Sequence, residues 1–297
     1  MTLEGEDAQA NDSDGEDLTT AMDVKSFSIF GLPSSIRTKG DLEPLKNLTA
    51  QEYASGRVPR FGKSNPEIMD VPFWSAMIAA ELGPWSANNI VHYGKTGDSE
   101  PTWTFAERMG QTTTELPDGR LVFIAGEHED FYDPDFHIYN DVCVFDKKKK
   151  NRSTSSSSED GGGGKRSPPV LYGYPKTVFP PTDFHTATLV EGTPDIYIIG
   201  CMGYLDQRRS GETPVYRLDT RDFSMHAVKT SGEKPGWINH HNACLVEDGT
   251  AIRVWGEKHK YSGSRVYVKD GNKRGECADF EGEYLLHLET GRWTRQS

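Results

Sequence analysis

The chain has 297 residues, of which 35% are hydrophobic and 26% are charged, and its 30 glycines and 17 prolines are typical of many short strands and turns. The formal net charge is −12, and no segment interleaves basic with aromatic residues, so we expect no nucleic-acid partner. Because no apolar run approaches the roughly 18 residues of a membrane-spanning helix, we expect no membrane partner either.

The cysteine pattern bears on the cellular compartment. Cys143, Cys201, Cys244 and Cys277 are widely spaced and form no C-x-x-C pair. This pattern is typical neither of a zinc site nor of a disulfide framework. Because thiols stay reduced inside cells, we expect an intracellular, cytoplasmic protein.

The amino-terminal part is predicted to lie outside the main fold. Residues 1–23 contain eight acidic residues and no basic one, with almost nothing to bury. Ordering such a segment would cost entropy without a hydrophobic gain, so we expect a disordered acidic tail. Residues 24–102 are interpreted as an N-terminal extension of the main fold.

One helix is predicted in this extension, over residues 72–82. Asp70 can cap it, Pro72 lies in its first turn, and Gly83 with Pro84 ends it. Its apolar residues recur at helical spacing and form one face, which either docks a partner or packs against the rest of the protein. They are Phe73, Trp74, Met77, Ile78 and Leu82.

Residues 147–166, KKKKNRSTSSSSEDGGGGKR, form a low-complexity insertion between two strand-like blocks. Their composition predicts a flexible surface loop. Lys147 to Lys150 with Arg152 are typical of a nuclear localisation signal, so a nuclear location is the alternative to the cytoplasm. The other interpretation is a solvated loop without a role.

Three segments of the chain align with one another without a gap, and this internal repeat predicts the fold. Each has an apolar run, a turn rich in glycine, proline and acid, and a second β-prone run that ends in a glycine. Two such runs with a turn between them predict an antiparallel hairpin. The segments are Gln111 to Glu127, His185 to Cys201 and His241 to Glu257, and their glycines are Gly126, Gly200 and Gly256.

A third and a fourth strand are predicted to follow these hairpins. The third ends in an acid, over Val142 to Asp146, Val215 to Asp219 and Tyr284 to Glu289. In the last two repeats an aromatic residue, Phe223 or Trp293, follows four residues after this acid and is placed on the fourth strand. Four antiparallel strands per repeat are typical of one β-propeller blade, so the predicted fold class is all-β.

These repeats resemble the kelch repeat, in which a strand ending in glycine is followed by an aliphatic strand closing on Asp and then by an aromatic residue. His185 and His241 look like the histidine of the kelch first strand, and Gly232-x-x-Pro235 is similar to the signature before a repeat. The double glycine of the family is absent, because each glycine is followed by Glu or Cys. The resemblance covers residues 103–297 and implies a kelch-like β-propeller, whose commonest use is to bind other proteins.

The number of repeats recognised in the sequence bears on whether the predicted propeller is closed. Three repeats are fewer than the about four to eight blades of closed propellers. The predicted propeller is therefore either incomplete or has further, unrecognised blades before Trp103. Residues 90–105 contain two short β-prone runs, which are candidates for a strand that the last blade would borrow from the other end of the chain.

The most polar cluster is residues 127–137, in the loop after the first repeated glycine. Glu129, Asp133 and His137 occur there at a spacing of four, and carboxylates with imidazole are ligands of iron, manganese and zinc. This spacing resembles the iron-binding motif of plant specifier proteins, which are themselves kelch propellers. The resemblance implies an Fe(II) cofactor and a metal-dependent enzyme. The alternative is an acidic loop whose aromatic residues pack between blades.

Two further clusters have both a functional and a structural interpretation. His185, His240 and His241 either line a central surface of the propeller or each bind a neighbouring backbone group. Arg208, Arg209 and Arg217 either bind an acidic ligand or are solvated in loops.

No phosphate-binding loop, nucleophile elbow or similar catalytic motif is found in the sequence. We therefore predict a non-enzymatic protein-interaction module that binds a protein partner through its propeller loops and needs no cofactor. The alternative is a metal-dependent, non-haem iron enzyme whose site is the loop 127–137. The metal content of the purified protein distinguishes the two.

The low-complexity insertion is predicted to be dispensable for folding, because a long polar insertion in a surface loop adds little more than closing entropy. We expect a variant in which a short Gly-Ser linker replaces residues 147–166 to melt within a few degrees of the wild-type protein. Thermal unfolding followed by circular dichroism measures this. Loss of most of the β-sheet signal would show that the segment belongs to the core.

Overall fold

A computed structural model describes most of the chain after the predicted acidic tail. The described residues are 40–91, 101–128, 136–146, 168–246, 248–256, 267–270, 273–276 and 282–296. Residues 1–23 and 147–166, the predicted tail and insertion, lie outside them. No described helix is long and apolar enough to cross a lipid bilayer.

The described residues are mostly in β-sheet, as the sequence predicts, with four helices at their N-terminal side. The helices are α1 (Glu43–Lys46), α2 (Ala50–Gly56), α3 (Pro72–Ala80) and α4 (Pro84–Val91). The strands are β1 (Glu67–Ile68), β2 (Thr112–Glu115), β3 (Leu121–Ile124), β4 (Glu127–His128), β5 (His137–Ile138), β6 (Val142–Phe145), β7 (Val170–Gly173), β8 (Thr186–Leu189), β9 (Asp195–Ile199), β10 (Val215–Asp219), β11 (Ser224–Ala227), β12 (Ser231–Gly232), β13 (Asn242–Leu245), β14 (Ala251–Trp255), β15 (Tyr267–Asp270), β16 (Lys273–Glu276), β17 (Glu283–His287) and β18 (Arg292–Gln296).

Three main sheets follow one another along the chain, each containing an antiparallel meander of four strands. The first sheet has the order β1-β7-β6-β3-β2, the second β11-β10-β9-β8 and the third β12-β18-β17-β14-β13. The predicted hairpins β2–β3, β8–β9 and β13–β14 are confirmed. Their first strands, β2, β8 and β13, are the inner strands of the three sheets and lie next to one another.

The sheets are stacked face to face in chain order, and the helices cover one end of the stack. Phe123, Cys143 and Phe145 lie on the face of the first sheet that packs against the helices. Val122 and Ile124, on its other face, pack against the second sheet. The first sheet is therefore buried on both faces.

The second sheet is buried on both faces as well. Ile196 and Ile198 of β9 face the first sheet, whereas Ile199 of the same strand packs against Ile252 and Val254 of the third sheet. Strand β9 alternates between two apolar layers, which explains why its sequence is apolar at nearly every position. The prediction that this run is sandwiched between neighbouring sheets is confirmed.

The outer face of the third sheet carries charged residues at positions where the second sheet has less polar residues. The strand registers place Arg253 where the second sheet has Tyr197, and Glu283 where it has Val215. The Arg253 and Glu283 side chains are 46% and 36% exposed and form an ion pair with an N–O distance of 2.7 Å. Within the described residues, this face of the third sheet is therefore more polar and more exposed than the corresponding face of the second sheet.

The prediction of a single helix in the N-terminal extension is wrong. The predicted helix is confirmed as α3, but α1, α2 and α4 were not predicted. Helix α2 has a signal in the sequence, because Thr49 and Glu52 form a capping box in which each side chain accepts the backbone N–H of the other residue. Apolar residues of all four helices belong to one buried cluster with residues of the first sheet, and α1 also contacts α3 and α4. Tertiary contacts therefore stabilise helices that are short for independent stability.

Helix α3 starts at Pro72, as predicted, but its capping residue differs from the prediction. Its N-cap is Val71, which makes no side-chain capping bond, and Asp70 lies one residue further out. Pro72 is the reason, since the residue before a proline is pushed into the extended region that an N-cap occupies, and Val71 has φ −122° and ψ 111°. The helix ends at Ala80, two residues before the predicted end, because its C-cap Glu81 lies in the left-handed region. Helix α4 starts directly after Gly83.

The N-terminal extension also binds the outer edges of two sheets. Strand β1 pairs with β7 of the first sheet. The side chain of Asn65 makes two hydrogen bonds, both 2.8 Å, with the backbone of Met225 on the outer strand of the second sheet. The candidate strand within residues 90–105 is wrong for the described part of that range. Residues 90 and 91 belong to α4, a helix with Pro84 at its first position, and residues 101–105 form no strand.

The first hairpin is one residue shorter than the second. Thr112 and Thr186 hold the same place in the ungapped alignment. Thr112 pairs with Ile124, whereas Thr186 pairs with Ile199, one position further along its segment. The ungapped alignment of the repeats therefore fails after the turn.

The predicted equivalence of the three glycines is consequently wrong for Gly126. Ala125 is the counterpart of Gly200, because each donates its N–H to the carbonyl of the residue before the third strand. Both have positive φ, 52° for Ala125 and 70° for Gly200. Gly126 matches Cys201 instead, since each donates its N–H to the connector that leads to the next sheet.

The predicted equivalence of Phe223 and Trp293 is also wrong. Met225 is the counterpart of Trp293 in the strand pairing. Phe223 lies in the turn before the fourth strand with φ 58°, as Gly291 does with φ 65°. The acids used to align the two repeats are not equivalent, because Glu289 lies beyond the end of β17.

Two glycines with the same left-handed backbone test how tightly a seam between sheets is packed. Their φ angles are 70° for Gly200 and 69° for Gly249. A Cβ on Gly200 would lie 2.5 Å from the carbonyl oxygen of Ile238 and 2.6 Å from Cε1 of His241, whereas one on Gly249 would meet nothing within 4 Å. We expect Gly249→Ala to cost about 1 kcal/mol through backbone strain. Gly200→Ala should cost about 1–3 kcal/mol more, because Ile238 and His241, in the contact region (the seam) between the second and third sheets, must move.

Urea denaturation of the two variants measures these free energies of unfolding. Gly249→Ala is the matched control, since it introduces the same methyl group at the same backbone angle. Equal losses in the two variants would show that the seam near Gly200 is loosely packed.

Candidate functional site

The long loops of the sheets gather at one end of the stack, here called the loop end. The second strand of each sheet ends there and the third begins, so the connections at residues 125–141 and 200–214 lie on the same side. The opposite end, the turn end, has the short hairpin turns at residues 116–120, 190–194 and 246–250. Binding residues are most often on loops that a rigid scaffold holds, so the loop end is the candidate site.

A buried ion pair holds the base of the first loop. Arg108 Nη2 donates to Asp141 Oδ2 at 3.0 Å, and the two side chains are 1% and 8% exposed. Arg108 Nη1 also donates to the carbonyl of Ala125 at 3.1 Å, and its guanidinium carbon lies 3.5 Å from the centre of the Tyr139 ring. The two ends of the loop are thereby tied to one side chain. Loss of either partner would leave a buried unpaired charge.

The short hairpin of β4 and β5 closes the acidic loop 127–137. It places His128 opposite His137, whose ring packs edge-on against Tyr139 with ring centres 4.8 Å apart. Burial, and next the positive charge of Arg108, lower the pKa of His137 to about 4. The imidazole is therefore neutral at neutral pH, the form in which histidine binds metal ions.

The predicted metal ligands are only partly covered by the described residues. His137 is described, whereas Glu129 and Asp133 lie outside the described ranges. Within those ranges no group of three or more His, Cys, Asp or Glu side chains is placed to hold a metal ion. The iron site therefore stays a prediction. The position of His128 opposite His137 follows from strand pairing, which the spacing motif did not include.

A buried carboxyl group joins the first loop to the second. Asp183 Oδ1 accepts a hydrogen bond from the N–H of Gly203 at 2.6 Å, and the Asp183 carboxyl also contacts that of Glu127. Burial raises the pKa of Asp183. The sequence analysis missed Asp183, because nothing in the local sequence distinguishes a buried acid in a connector from the exposed acids of other loops.

Tyr204 connects the two loops from the other side. Its hydroxyl accepts a hydrogen bond from the N–H of Ile138 at 2.9 Å. Its ring contacts Phe136 edge-on, with ring centres 5.7 Å apart, and Phe136 is 45% exposed. Residues from two sheets therefore present one aromatic surface at the loop end.

The two adjacent arginines of the second loop differ in role. Arg208 Nε donates to the carbonyl of Met202 at 2.8 Å and its Nη2 to the carbonyl of Gly203 at 2.9 Å, so Arg208 shapes the loop. Arg209 is exposed and donates to the carbonyl of Asp206 at 2.7 Å. Arg209 is thus the more accessible of the two to a partner.

The interpretation of three histidines as one surface is wrong for two of them. His185 and His241 are buried, with 5% and 7% exposure. Their Nε2 atoms lie 2.8 Å and 3.0 Å from the hydroxyls of Thr112 and Thr186, on the first strand of the preceding sheet. His240 is exposed. The structural role is the correct one for the buried pair. His241 also makes the expected hydrogen bond with a backbone group, that of Ile199, whereas the threonine side chains are partners that the sequence did not indicate.

Comparisons with known proteins give matches among solved structures only. No family model matches the chain, and no curated protein matches it. A search of solved structures finds 63 matching chains. One of them, described as the structure of YjhT, is 13% identical, and the match covers 66% of this chain and 72% of that chain with a TM-score of 0.30. A TM-score this low carries no inference about fold or function.

The two functions predicted from the sequence differ in whether the purified protein contains a bound metal ion. We expect protein purified without chelator to contain negligible iron, manganese and zinc, and His137→Ala to contain the same, because His137 packs against Tyr139 and Phe61. Elemental analysis by plasma mass spectrometry measures this. A stoichiometric amount of iron that is lost in His137→Ala would favour the metal-dependent enzyme instead.

Proposed function

We propose that the three sheets are consecutive blades of a kelch-like β-propeller. Each contains a four-stranded meander with its first strand innermost, and these first strands lie side by side. One contact recurs at both seams, since Phe184 donates its N–H to the carbonyl of Gly110 and His240 donates to that of Phe184, both at 3.0 Å. A contact that recurs from sheet to sheet supports a common rotation between the sheets, as between propeller blades.

We propose further that the protein is a non-enzymatic interaction module whose loop end binds a protein partner. The observation that carries this proposal is the shared aromatic surface, in which the exposed Phe136 of the first loop packs against Tyr204 of the second. Arg209 is exposed in the same loop as Tyr204. Aromatic residues and arginine are enriched in protein interfaces and provide most of the residues that dominate binding energy.

The contacts beneath this surface support the same proposal. The Tyr204 hydroxyl is held by the N–H of Ile138, and the base of the first loop is held by Arg108 and Asp141. Loops that are ordered before binding lose less conformational entropy when a partner docks. A fixed aromatic pair is therefore a better anchor than the same residues on free loops.

Photo-crosslinking from the two ends of the stack can identify the partner. p-Benzoylphenylalanine in place of Phe136 samples the loop end, and in place of Glu191 it samples an exposed turn at the other end. We expect a partner protein from cell extract to crosslink from position 136 and not from position 191. Equal crosslinking from both positions would contradict the proposal.

Binding of the purified partner then measures the contribution of the loop end. We expect Phe136→Ala and Arg209→Glu each to raise the dissociation constant about tenfold or more, because aromatic and arginine anchors dominate interface energies. Isothermal titration calorimetry measures this. Glu191→Lys, at the turn end, is the control and should leave the affinity unchanged. Unchanged affinity in both loop-end variants would show that the partner binds elsewhere.

A further inference from the structure

Two buried carboxyl groups meet at the loop end, between the first loop and the connector that leads to the second sheet. Glu127 begins β4, which closes the first loop, and Asp183 lies in the connector from β7 to β8. The exposed fractions are 5% for Glu127 and 0% for Asp183. The two carboxyl groups contact each other, although two carboxylates at this separation repel each other.

Backbone hydrogen bonds hold the two residues side by side. Gly126, directly before Glu127, donates its N–H to the carbonyl of Thr182, directly before Asp183, at 2.9 Å. Glu127 itself exchanges two backbone hydrogen bonds with Met109, at 2.8 Å and 2.9 Å. The main chain thus keeps both carboxyl groups in the same buried region.

The hydrogen bonds of Asp183 show that this contact contains a proton. Oδ1 accepts the N–H of Gly203 at 2.6 Å. Oδ2 is buried, and no N–H or hydroxyl group of the described residues donates to it. The remaining hydrogen-bond partner of Asp183 is the carboxyl of Glu127. An ionised carboxylate only accepts hydrogen bonds, so a bond between two carboxyl groups requires that one of them carries a proton.

The charges around Asp183 favour the same interpretation. Burial is the largest effect on Asp183 and raises the pKa of its carboxyl above the ordinary value of 3.8, against the attraction of the positive charge of Arg208. The Arg208 guanidinium also donates to the carbonyl of Gly203 at 2.9 Å. Burial raises the pKa of the Cys201 thiol and of the Tyr204 hydroxyl, so both are uncharged at neutral pH. The described titratable groups that face Asp183 are those of Glu127, Cys201, Tyr204 and Arg208.

We propose that Asp183 is a proton-dependent clasp between the first and second loops, which is closed while one proton joins its carboxyl to that of Glu127 and loosens when this proton is lost. Through Oδ1 the same side chain holds Gly203, next to Tyr204 of the second loop. Two carboxyl groups that share a proton titrate as a pair. The clasp does not rest on the proposed binding function, because its direct readout is the stability of the fold.

The direction of the pH effect follows from the raised pKa of Asp183. In the unfolded chain this carboxyl loses its proton near the ordinary value of 3.8. Between that value and the raised pKa, the folded protein binds one proton more than the unfolded chain. The contribution of the clasp to stability is therefore complete below pH 3.8 and is lost as the pH rises through the raised pKa. Within this interval the folding constant should fall about tenfold per pH unit.

Asp183→Asn copies the protonated form and does not titrate. The asparagine has nearly the same shape, its oxygen can accept the N–H of Gly203, and its amide can donate to the Glu127 carboxylate. We expect the folding constant of the wild-type protein, divided by that of Asp183→Asn, to fall about tenfold per pH unit above about pH 4 and to become constant above the raised pKa. Urea unfolding of the full chain between about pH 4 and about pH 8 measures this ratio.

Asp206→Asn is the matched control, since it makes the same substitution at an exposed position of the second loop and should leave the wild-type pH dependence unchanged. A wild-type to Asp183→Asn ratio that rises with pH, or stays constant, would overturn the proposal. If Asp183→Asn does not fold, carbon NMR of the Asp183 carboxyl in the wild-type protein replaces it. A titration midpoint above 3.8 is expected, and a midpoint at or below 3.8 would overturn the clasp.

A divalent cation between two carboxylates is the alternative to a proton, because carboxylate oxygens are ligands of calcium. Urea unfolding of the wild-type protein and of Asp183→Asn at about pH 8, each with and without added calcium chloride, distinguishes the two. We expect calcium to change the stability of both proteins equally. Stabilisation of the wild-type protein by calcium that is absent in Asp183→Asn would overturn the proton clasp.

Discussion

Burial of both faces of the first and second sheets is the constraint on which the rest of the structure depends. A sheet with apolar residues on both faces is stable only between two other layers. The helices supply the layer that covers Phe123 and Phe145 of the first sheet. At the other end of the stack the ion pair of Arg253 with Glu283 takes positions that hold Tyr197 and Val215 in the second sheet.

The stacking also explains why the loop end can be a binding surface. Neighbouring sheets meet most closely at their inner strands, where His185 and His241 reach back to the preceding sheet. The loops at residues 125–141 and 200–214 leave the second strands, which pair with these inner strands, and their ends are therefore held at a fixed separation. That separation brings Phe136 within contact of Tyr204, although they come from different sheets. The seams and the aromatic surface are thus parts of one arrangement.

The errors of the sequence analysis have physical causes that particular residues show. Ala125 stands where the second sheet has Gly200, because the first hairpin is one residue shorter. An ungapped alignment of the sequence cannot detect this difference in length, which is visible only in the strand pairing. Helices α1 and α4 were missed because their stability comes from packing within the cluster that the helices form with the first sheet rather than from local propensity. Asp183 and Tyr204 were missed because their partners are distant in sequence, so no short pattern contains the contact.

The sequence by itself determined the β-sheet class, the three hairpins and the helix at α3, because alternation, turn residues and helical spacing act over a few neighbouring residues. It also pointed to His185 and His241 as repeated positions. Only the tertiary structure decided what these histidines bind, which faces are covered, and which residues meet at the loop end. The reason is that such contacts depend on how whole sheets stack, and a one-residue change in a turn reassigns every side chain after it to the other face.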